Sequence, residues 1–331
     1  MKTLLLTDDE VKKLLSMDEV MEAVESAFKE KGLRRVQMPA KIYLFYKKYN
    51  GDLRTMPSYL EELDISAVKI VNVHPENRMR YHLPTVMAVI VLIDPKNGAP
   101  MAIMSGTTVT SMRTGAAGGI AAKNLARKDS KVAGLVGAGT QARTQLMALL
   151  SVYKKLEEVK VCDKLKEARD KFIAEMKQKY GHLCNIISVE SVKEAVEESD
   201  IVLTATPSRK PIVMNNWVRP GTHLTCIGAD APGKEELDPK ILTRAKIVID
   251  DWEQASHSGE INVPLSQGII TKESVWAEIG EIAAGLKSGR ENPEEITIFT
   301  STGLAVQDAV TAKLAYDKAK QKGIGRLIKI T

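Results

Sequence analysis

The sequence lacks paired cysteines and long apolar runs, and both absences limit what it can be. Its three cysteines, Cys162, Cys184 and Cys226, lie in or beside apolar segments that are predicted as strands. An odd number without C-x-x-C spacing argues against disulfides and a zinc site, so we expect buried thiols in a reducing compartment and assign no metal-binding residues. No apolar run approaches about 18 residues, and the one at the N-terminus is too short for a signal peptide. We therefore expect a cytoplasmic protein without a membrane-spanning helix.

Dense blocks of one charge are absent too. The 331 residues include 47 Lys and Arg against 42 Asp and Glu, and the net charge of +5 is spread along the whole length. No stretch has the density of basic residues that is typical of a nucleic-acid-binding arm, so we expect no nucleic-acid partner. A hydrophobic content of 44% and this length are typical of a globular protein with about two domains.

A glycine-rich turn after a short apolar run is the most informative motif. Gly137-Ala-Gly-Thr-Gln-Ala142 has the spacing G-x-G-x-x-A, and a helix is predicted from Gln141 to Leu150. Such a turn lets a pyrophosphate approach the backbone at the positive end of a helix. A glycine turn alone is weak evidence, but the next predicted strand ends in Asp163, 21 residues after Ala142, where a carboxylate can accept the adenosine ribose hydroxyls. Together they predict a dinucleotide site.

Strands and helices alternate around this motif. Continuous apolar runs predict strands of a parallel sheet that is covered on both faces, and charged amphipathic segments between them predict helices at 164–179 and 191–198. The predicted strands are 131–137, 158–163, 184–190, 200–206, 222–229 and 246–251. We therefore predict an α/β fold with a doubly wound, Rossmann-type parallel sheet.

The first 110 residues have a different pattern. Capping boxes that start at Thr7 and Ser16 predict two helices, and four predicted strands without long helices between them suggest an antiparallel sheet. These strands are 41–46, 67–73, 85–93 and 100–104. A last helix is predicted at 301–322, with Ser301 or Thr302 as its cap and Gly323 as its stop. We expect it to pack on the N-terminal segment, so that a dinucleotide domain of residues 119–302 is inserted into a smaller α+β domain of residues 1–118 plus 303–331.

Two predicted strand ends carry candidate site residues, because ligands of open α/β sheets bind beyond the carboxyl ends of the strands. Thr206, Pro207 and Ser208 either line the nicotinamide riboside or form an ordinary exit from a strand. Asp230 follows Gly228 after another strand, and it either acts on an amine or a water molecule or only forms a turn.

Three basic residues are candidates for a substrate site. Arg54 stands beside a turn that Pro57 is predicted to define. Lys69 interrupts an apolar strand, so its amine either points to solvent or is desolvated, which would lower its pKa and suit acid–base chemistry near neutral pH. Arg113 lies among small residues of a predicted helix that can approach another backbone or a cofactor closely, and its planar fork can hold a carboxylate.

Segments spread over nearly the whole chain resemble the ornithine cyclodeaminase/mu-crystallin family, and within it the archaeal-type alanine dehydrogenases. Several of them are specific to this family rather than common to nucleotide-binding proteins. The matching segments are residues 51–57, 69–72, 83–88, 111–119, 137–142, 206–208, 228–237, 259–262 and 301–308.

The resemblance implies roles for particular residues. It implies that Arg54, Lys69 and Arg113 bind the substrate carboxylate, that Lys69 is an acid and base, and that Asp230 is the catalytic acid. Asp163 favours NAD over NADP, although Lys164 or Arg143 could meet a 2′-phosphate. With the glycine turn, the implied cofactor-binding residues are Thr85, Thr114, Gly137, Gly139, Thr140, Gln141, Ala142, Asp163, Thr206, Pro207, Ser208, Gly228, Asp230 and Ser301.

The expected reaction is the NAD-dependent oxidative deamination of L-alanine to pyruvate and ammonium, and its reverse, by a homodimer whose N-terminal strands join in a closed barrel. Alternatives on the same site are an ornithine cyclodeaminase and a ketimine or pyrroline-2-carboxylate reductase. The spacing of 15 between Arg54 and Lys69 looks short for a cyclodeaminase, although Glu61 and Glu62 lie between them. A dinucleotide-binding protein without turnover is the remaining alternative.

Overall fold

The computed structural model describes residues 2–154 and 156–330. The chain forms two compact units, one of residues 1–113 with 304–331 and one of residues 114–303. The strands are β1 Lys2–Leu6, β2 Val36–Gln37, β3 Ile42–Tyr46, β4 Gly51–Leu60, β5 Ile65–Val73, β6 Val86–Ile93, β7 Pro100–Ser105, β8 Val132–Val136, β9 Glu158–Cys162, β10 Asn185–Ser188, β11 Ile201–Thr204, β12 Arg209–Val213, β13 His223–Cys226, β14 Glu235–Leu237, β15 Ala245–Ile249, β16 Val275–Glu278, β17 Ile296–Thr300 and β18 Arg326–Lys329. The helices are α1 Asp8–Leu14, α2 Met17–Gly32, α3 Asn77–Arg80, α4 Gly106–Leu125, α5 Thr140–Val152, α6 Lys166–Tyr180, α7 Val192–Val196, α8 Pro239–Leu242, α9 Trp252–Ser258, α10 Asn262–Ser266, α11 Ile279–Ala283 and α12 Ala305–Lys322.

Residues 114–303 contain a parallel sheet in the order β10-β9-β8-β11-β13-β17-β15-β16. Every neighbouring pair is parallel, which confirms the predicted doubly wound fold. All six predicted strands are present. The prediction missed β16 and β17, and it also missed β12 and β14, which form a separate two-stranded sheet. The central strands β11, β13 and β17 are buried along their whole length, as expected for a sheet covered on both faces.

Residues 1–113 and 304–331 form a second sheet in the order β18-β1-β7-β6-β5-β4-β2, with β3 also paired to β4. The pairs from β2 to β7 are antiparallel, as predicted, whereas β1 pairs with β7 in parallel. Helix α12 packs on β4, β5, β6 and α2, which confirms that the C-terminal helix returns to the N-terminal segment. This packing brings residues near 308 to the inner face of β5.

The helix caps were predicted with mixed success. Thr7 forms the expected capping box with Glu10, and Gly323 ends α12 with a φ of +64°. Ser16 makes no side-chain hydrogen bond to the backbone of its helix, because its hydroxyl donates to Glu19 instead. The prediction that Ser301 or Thr302 caps the last helix was wrong, since α12 begins at Ala305 with Leu304 as its cap.

Helix α4 is rich in glycine and alanine where it faces α5. A Cβ at Gly115 would overlap the backbone carbonyl group of Thr144, and one at Gly118 would overlap the side chain of Gln145. The predicted close approach of this helix to another backbone is therefore confirmed. The three cysteine thiols are buried and unpaired with one another, also as predicted. Within residues 2–154 and 156–330, no helix has the length and apolar character that a membrane crossing demands.

Candidate active site

The glycine-rich turn lies where the strand order of the parallel sheet reverses. β8 stands between β9 and β11, so the chain continues outward from β8 on both sides. Gly137 has a φ of +104°, and a Cβ there would lie 2.7 Å from the carbonyl oxygen of Ala205. A Cβ at Gly139 would meet no atom within 4 Å, so the fold itself does not require glycine at that position. In open α/β sheets, ligands bind at such a switch point.

The residues at this turn fit a pyrophosphate. Helix α5 starts at Thr140, directly after the open backbone of Gly139, and no side chain caps its N-terminus. The positive end of the helix is therefore available to an anion. Ala142 is buried, which lets α5 pack on the sheet, while Thr140 is exposed and Gln141 is half-buried. The turn thus has the open backbone and the helix end that a dinucleotide needs.

Asp163 follows β9, and its carboxylate lies against the glycine turn. Its Oδ2 accepts a hydrogen bond from the N–H of Ala138 at 2.7 Å, and its Oδ1 accepts one from the N–H of Leu165 at 2.8 Å. Arg143 donates to Glu175 at 2.8 Å and to the carbonyl oxygen of Ala138 at 2.7 Å. The guanidinium of Arg143 is therefore held by groups of the fold beside the turn.

The predicted nicotinamide-side residues share one edge of the sheet. Thr206, Pro207 and Ser208 follow β11, and Gly228 and Asp230 follow β13, which pairs with β11 in parallel. The carboxylate of Asp230 pairs with Nζ of Lys234 at 2.6 Å, and the Asp230 side chain keeps 36% of its surface exposed. It is thus open to a ligand. Its backbone N–H also donates to the carbonyl oxygen of Gly228 at 2.9 Å, so the residue lies in a tight turn as well.

Ser301 lies beyond β17 at the same edge, in a loop that a buried acid fixes. The Ser301 hydroxyl donates to Oδ2 of Asp250 at 3.3 Å. The N–H groups of Thr302 and Gly303 donate to the same oxygen at 2.6 and 2.8 Å. Sequence reasoning did not identify Asp250, although it ends an apolar strand as Asp163 does.

In the unit of residues 1–113 and 304–331, Lys69, Arg113 and Asp308 form one buried cluster. Lys69 points to the same side of β5 as Ala67 and Val71, and only 1% of its surface is exposed, so the alternative that it points to solvent was wrong. Its Nζ lies 2.6 Å from Oδ2 of Asp308 on α12. Nε of Arg113 on α4 donates to the other oxygen of Asp308 at 3.0 Å.

Burial changes the proton affinity of Lys69. Desolvation, and then the charge of Arg113, lower its pKa from 10.5 to about 7, although the carboxylate of Asp308 opposes this shift. An amine with this pKa is both a base and an acid near neutral pH. Asp308 was not predicted as a site residue. Every residue from Ala305 to Ala312 is buried, so helical periodicity does not single it out, and its signal was its place in the segment 301–308 that resembles the family.

Arg54 does not lie beside a proline-defined turn, because β4 continues through Pro57. Arg54 points inward from β4, as do Met56 and Ser58. Its Nε donates to Oδ1 of Asp52 at 3.0 Å, and its guanidinium lies 5.2 Å from the centre of the Tyr43 ring. These contacts hold the guanidinium of Arg54 between Asp52 of its own strand and Tyr43 of β3.

Two other predicted cofactor residues have ordinary surroundings in the fold. Thr85 precedes β6 and is half-buried, and its carbonyl oxygen accepts a hydrogen bond from the N–H of His74 at 2.9 Å. Thr114 is buried in α4, where its carbonyl oxygen accepts one from Nε2 of Gln145 at 2.8 Å. Across the described part of the chain, no three His, Cys, Asp or Glu side chains are grouped so that they could hold a metal ion.

The parallel sheet, the glycine turn at its switch point and Asp163 beside that turn define a dinucleotide-binding fold of the Rossmann class. The chain belongs to the ornithine cyclodeaminase/mu-crystallin family, whose profile matches residues 1–323.

Its relatives include alanine dehydrogenases and Delta(1)-pyrroline-2-carboxylate reductases. The chain is 51% identical to the alanine dehydrogenase of Archaeoglobus fulgidus over 99% of both chains. Among solved structures it is similar to an archaeal alanine dehydrogenase dimer with bound NAD, with a TM-score of 0.95 and 51% identity over 100% of both chains. It is also similar to the Thermococcus litoralis Delta(1)-pyrroline-2-carboxylate reductase in complex with NADH and L-proline, with a TM-score of 0.95 and 46% identity over 98% of this chain and 100% of that one.

Proposed function

We propose that this protein is an NAD-dependent alanine dehydrogenase, which converts L-alanine and water to pyruvate and ammonium and catalyses the reverse reaction. The observation that carries the proposal is the buried cluster of Lys69, Arg113 and Asp308. It combines an amine whose pKa is about 7 with a guanidinium suited to a carboxylate. The 51% identity to the Archaeoglobus fulgidus alanine dehydrogenase supports L-alanine as the substrate.

NAD, when bound, takes up the hydride that leaves Cα of the amino acid. The turn of Gly137 and Gly139 is proposed to hold its pyrophosphate, and Asp163 its adenosine ribose. The predicted residues beyond β11, β13 and β17 are proposed to hold the nicotinamide half. The carboxylate of Asp163 beside the turn supports NAD over NADP, because it would repel a 2′-phosphate.

The proposed roles of the charged residues follow from charge balance. Arg113 and Arg54 bind the substrate carboxylate. With Lys69 protonated, the cluster with Arg113 and Asp308 has a net charge of +1, which an anionic carboxylate neutralises. The neutral amine of Lys69 takes a proton from the reacting amino group or from the water that adds to the imino acid. Asp230 is the second candidate for the base that takes this proton. Collapse of the adduct of water and the imino acid then releases ammonium and pyruvate.

A direct assay tests this function. Purified protein is incubated with NAD⁺ or NADP⁺ and a panel of L-amino acids, while reduced nicotinamide and ammonia are measured. We expect equal amounts of NADH and ammonia from L-alanine and a preference for NAD⁺. Ammonia release from ornithine without net NADH would instead identify a cyclodeaminase.

A second candidate function is the reduction of pyrroline-2-carboxylate, and the 46% identity to the Thermococcus litoralis reductase favours it. NADH oxidation with that cyclic imine, compared with pyruvate plus ammonium, separates the two. A cyclodeaminase has no comparable support, because Glu61 and Glu62 are exposed at the turn between β4 and β5, where they contact Gln37 and Arg35.

We further propose that the protein is a homodimer and is located in the cytoplasm. The dimer is supported by apolar side chains that β3 and its surroundings leave exposed, among them Ile42, Leu44, Phe45 and Tyr49. The similar archaeal alanine dehydrogenase is described as a dimer. The cytoplasmic location is supported by three free, buried cysteines, which suit a reducing compartment.

Lys69→Met tests the acid–base role. The variant should lose turnover of L-alanine by about 10²–10⁴-fold, because proton transfer by a positioned group contributes that much. NADH affinity should be unchanged, since the proposed dinucleotide residues are intact. Fluorescence titration with NADH and the coupled ammonia assay measure the two quantities. A Lys69→Met enzyme with the wild-type rate would remove Lys69 from the mechanism.

A further inference from the structure

Glu236 on β14 is a fully buried carboxylate that none of the roles above uses. Its Oε1 accepts hydrogen bonds from the N–H and the hydroxyl of Thr206, each at 2.7 Å. Its Oε2 accepts one from the Thr204 hydroxyl at 2.7 Å and one from the N–H of Gly228 at 2.9 Å. This one side chain therefore connects the loop after β11 to the loop after β13.

The same contact leaves no room for a side chain at residue 228. A Cβ on Gly228 would lie 2.6 Å from the carboxyl carbon of Glu236 and would overlap the carbonyl oxygen of Thr206. The three residues thus fit together without spare space, so the carboxylate fixes the backbone of both loops.

A second buried acid fixes the backbone of the first. Oε1 of Glu260 accepts hydrogen bonds from the N–H groups of Glu236 and Leu237 at 2.8 and 2.7 Å. Burial, with the nearby charge of Glu236, raises the pKa of Glu260 well above its usual range. Burial also raises the pKa of Glu236, but its four hydrogen bonds favour the charged form. We therefore place the negative charge of the pair on Glu236 and the proton on Glu260.

We propose that Glu236 is a positioning residue for the nicotinamide half of the dinucleotide. β11 and β13 lie on the other side of β8 from β9, which carries Asp163 at its end. In this fold class the adenosine half lies on the β9 side of the switch point, so the nicotinamide half lies over the loops that Glu236 holds. The inference rests on the proposed NAD site and not on the identity of the amino-acid substrate.

The test compares NADH with ADP, which keeps the adenosine and both phosphates but lacks the nicotinamide riboside. In Glu236→Gln, an amide N–H₂ replaces one oxygen and leaves a donor facing the N–H of Gly228 or Thr206. We expect the Kd for NADH, measured by titration calorimetry, to rise about 10–100-fold, because a charge-assisted hydrogen bond is lost. The Kd for ADP should stay within about twofold. A general loss of structure would weaken both ligands alike.

Asp163→Asn is the matched control, because it alters the proposed adenosine side and should weaken both ligands. Thr204→Val removes a single hydrogen bond to Glu236 and should weaken NADH alone, by a smaller factor. If Glu236→Gln does not fold, Thr204→Val is the variant that tests the positioning role of Glu236.

Equal loss of both ligands, or of neither, in the Glu236 and Thr204 variants would overturn the proposal. A wild-type protein that binds neither ligand would refute the proposed cofactor and this inference with it. An absence of turnover with every amino acid would count against the proposed substrate alone, since both binding constants are measured without one.

Discussion

Asp163, Glu236 and Asp250 each accept hydrogen bonds from backbone N–H groups of a loop at the carboxyl edge of the parallel sheet. These loops leave the sheet, so their N–H groups lack strand partners, and an unpaired buried donor costs about 1–3 kcal/mol. A carboxylate satisfies several such donors at once and fixes the loop. Three acids of the same kind therefore shape the edge at which the dinucleotide is proposed to bind.

The two glycines of the turn should respond differently to alanine. Gly137→Ala should destabilise the protein, because φ is +104° and the Cβ would press on the backbone of Ala205. Gly139→Ala should leave the melting temperature unchanged, since φ is −80° and its Cβ meets no atom within 4 Å. It should nevertheless weaken NADH binding at least tenfold. Thermal melts and NADH titrations measure both effects, and normal NADH binding by Gly139→Ala would contradict a pyrophosphate at this turn.

The buried amine of Lys69 should make stability depend on pH in a predictable direction. Its pKa is about 7 in the folded protein and 10.5 when exposed, so the unfolded chain binds one more proton between these values. Stability from this group is complete above pH 10.5 and is lost as the pH falls through about 7. The free energy of unfolding of the wild type, minus that of Lys69→Met, should rise by about 1.4 kcal/mol per pH unit between about pH 8 and pH 10.

Urea unfolding at fixed protein concentration across this pH range measures the difference. Subtracting the Lys69→Met curve removes other groups that titrate there. A difference that does not change with pH would mean that Lys69 stays charged in the folded protein, and it would weaken its case as a base.

At the scale of helices and strands, the sequence predicted six of the parallel strands, several of which are continuous apolar or β-branched runs, although β9 alternates valine with charged residues. β17 was missed although it is buried throughout, and although Ile296–Thr300 consists of β-branched and aromatic residues that favour a strand. Nothing in these five residues indicates a central position. Its place between β13 and β15 depends on pairing between distant segments, which local patterns do not contain.

The cluster of Lys69, Arg113 and Asp308 could not be predicted for the same reason, since it depends on contacts between distant segments. Both faces of β5 are apolar around Lys69, so alternation alone could not show which face is buried. Helix α12 decides it, because it packs on β5 and places Asp308 opposite the amine. The position of a buried charge was thus set by a helix more than 200 residues away in sequence, which the local pattern around Lys69 does not contain.

The close contact between α4 and α5 predicts whether an alanine in α4 raises or lowers the stability of the protein. Replacing glycine by alanine inside a helix normally stabilises a protein by about 1 kcal/mol. Gly115→Ala should instead destabilise it by about 1–3 kcal/mol, because the Cβ would overlap the backbone carbonyl group of Thr144. Denaturant unfolding measures the change. Stabilisation by this variant would show that the two helices can separate at little cost.

At the scale of the whole molecule, exposed apolar side chains are unevenly placed. Phe45 on β3 is 66% exposed, and its neighbours Ile42 and Leu44 are also exposed on this short strand. Single exposed apolar residues are ordinary, but a contiguous group of them marks an interaction surface. β3 pairs only with β4 in the described sheet, so it also offers a strand edge to a second copy.

Phe45→Glu should therefore convert the proposed dimer to a monomer, because it places a charge where an apolar contact is expected. Light scattering after size-exclusion chromatography should give about twice 36.3 kDa for the wild type and about 36.3 kDa for the variant. Leu286→Glu is the matched control, since Leu286 is 59% exposed on the dinucleotide-binding unit and should leave the dimer intact. If both variants stay dimeric, the interface lies elsewhere. If the wild type is already monomeric, the apolar surface around β3 has another partner, and the catalytic proposal must hold for a single chain.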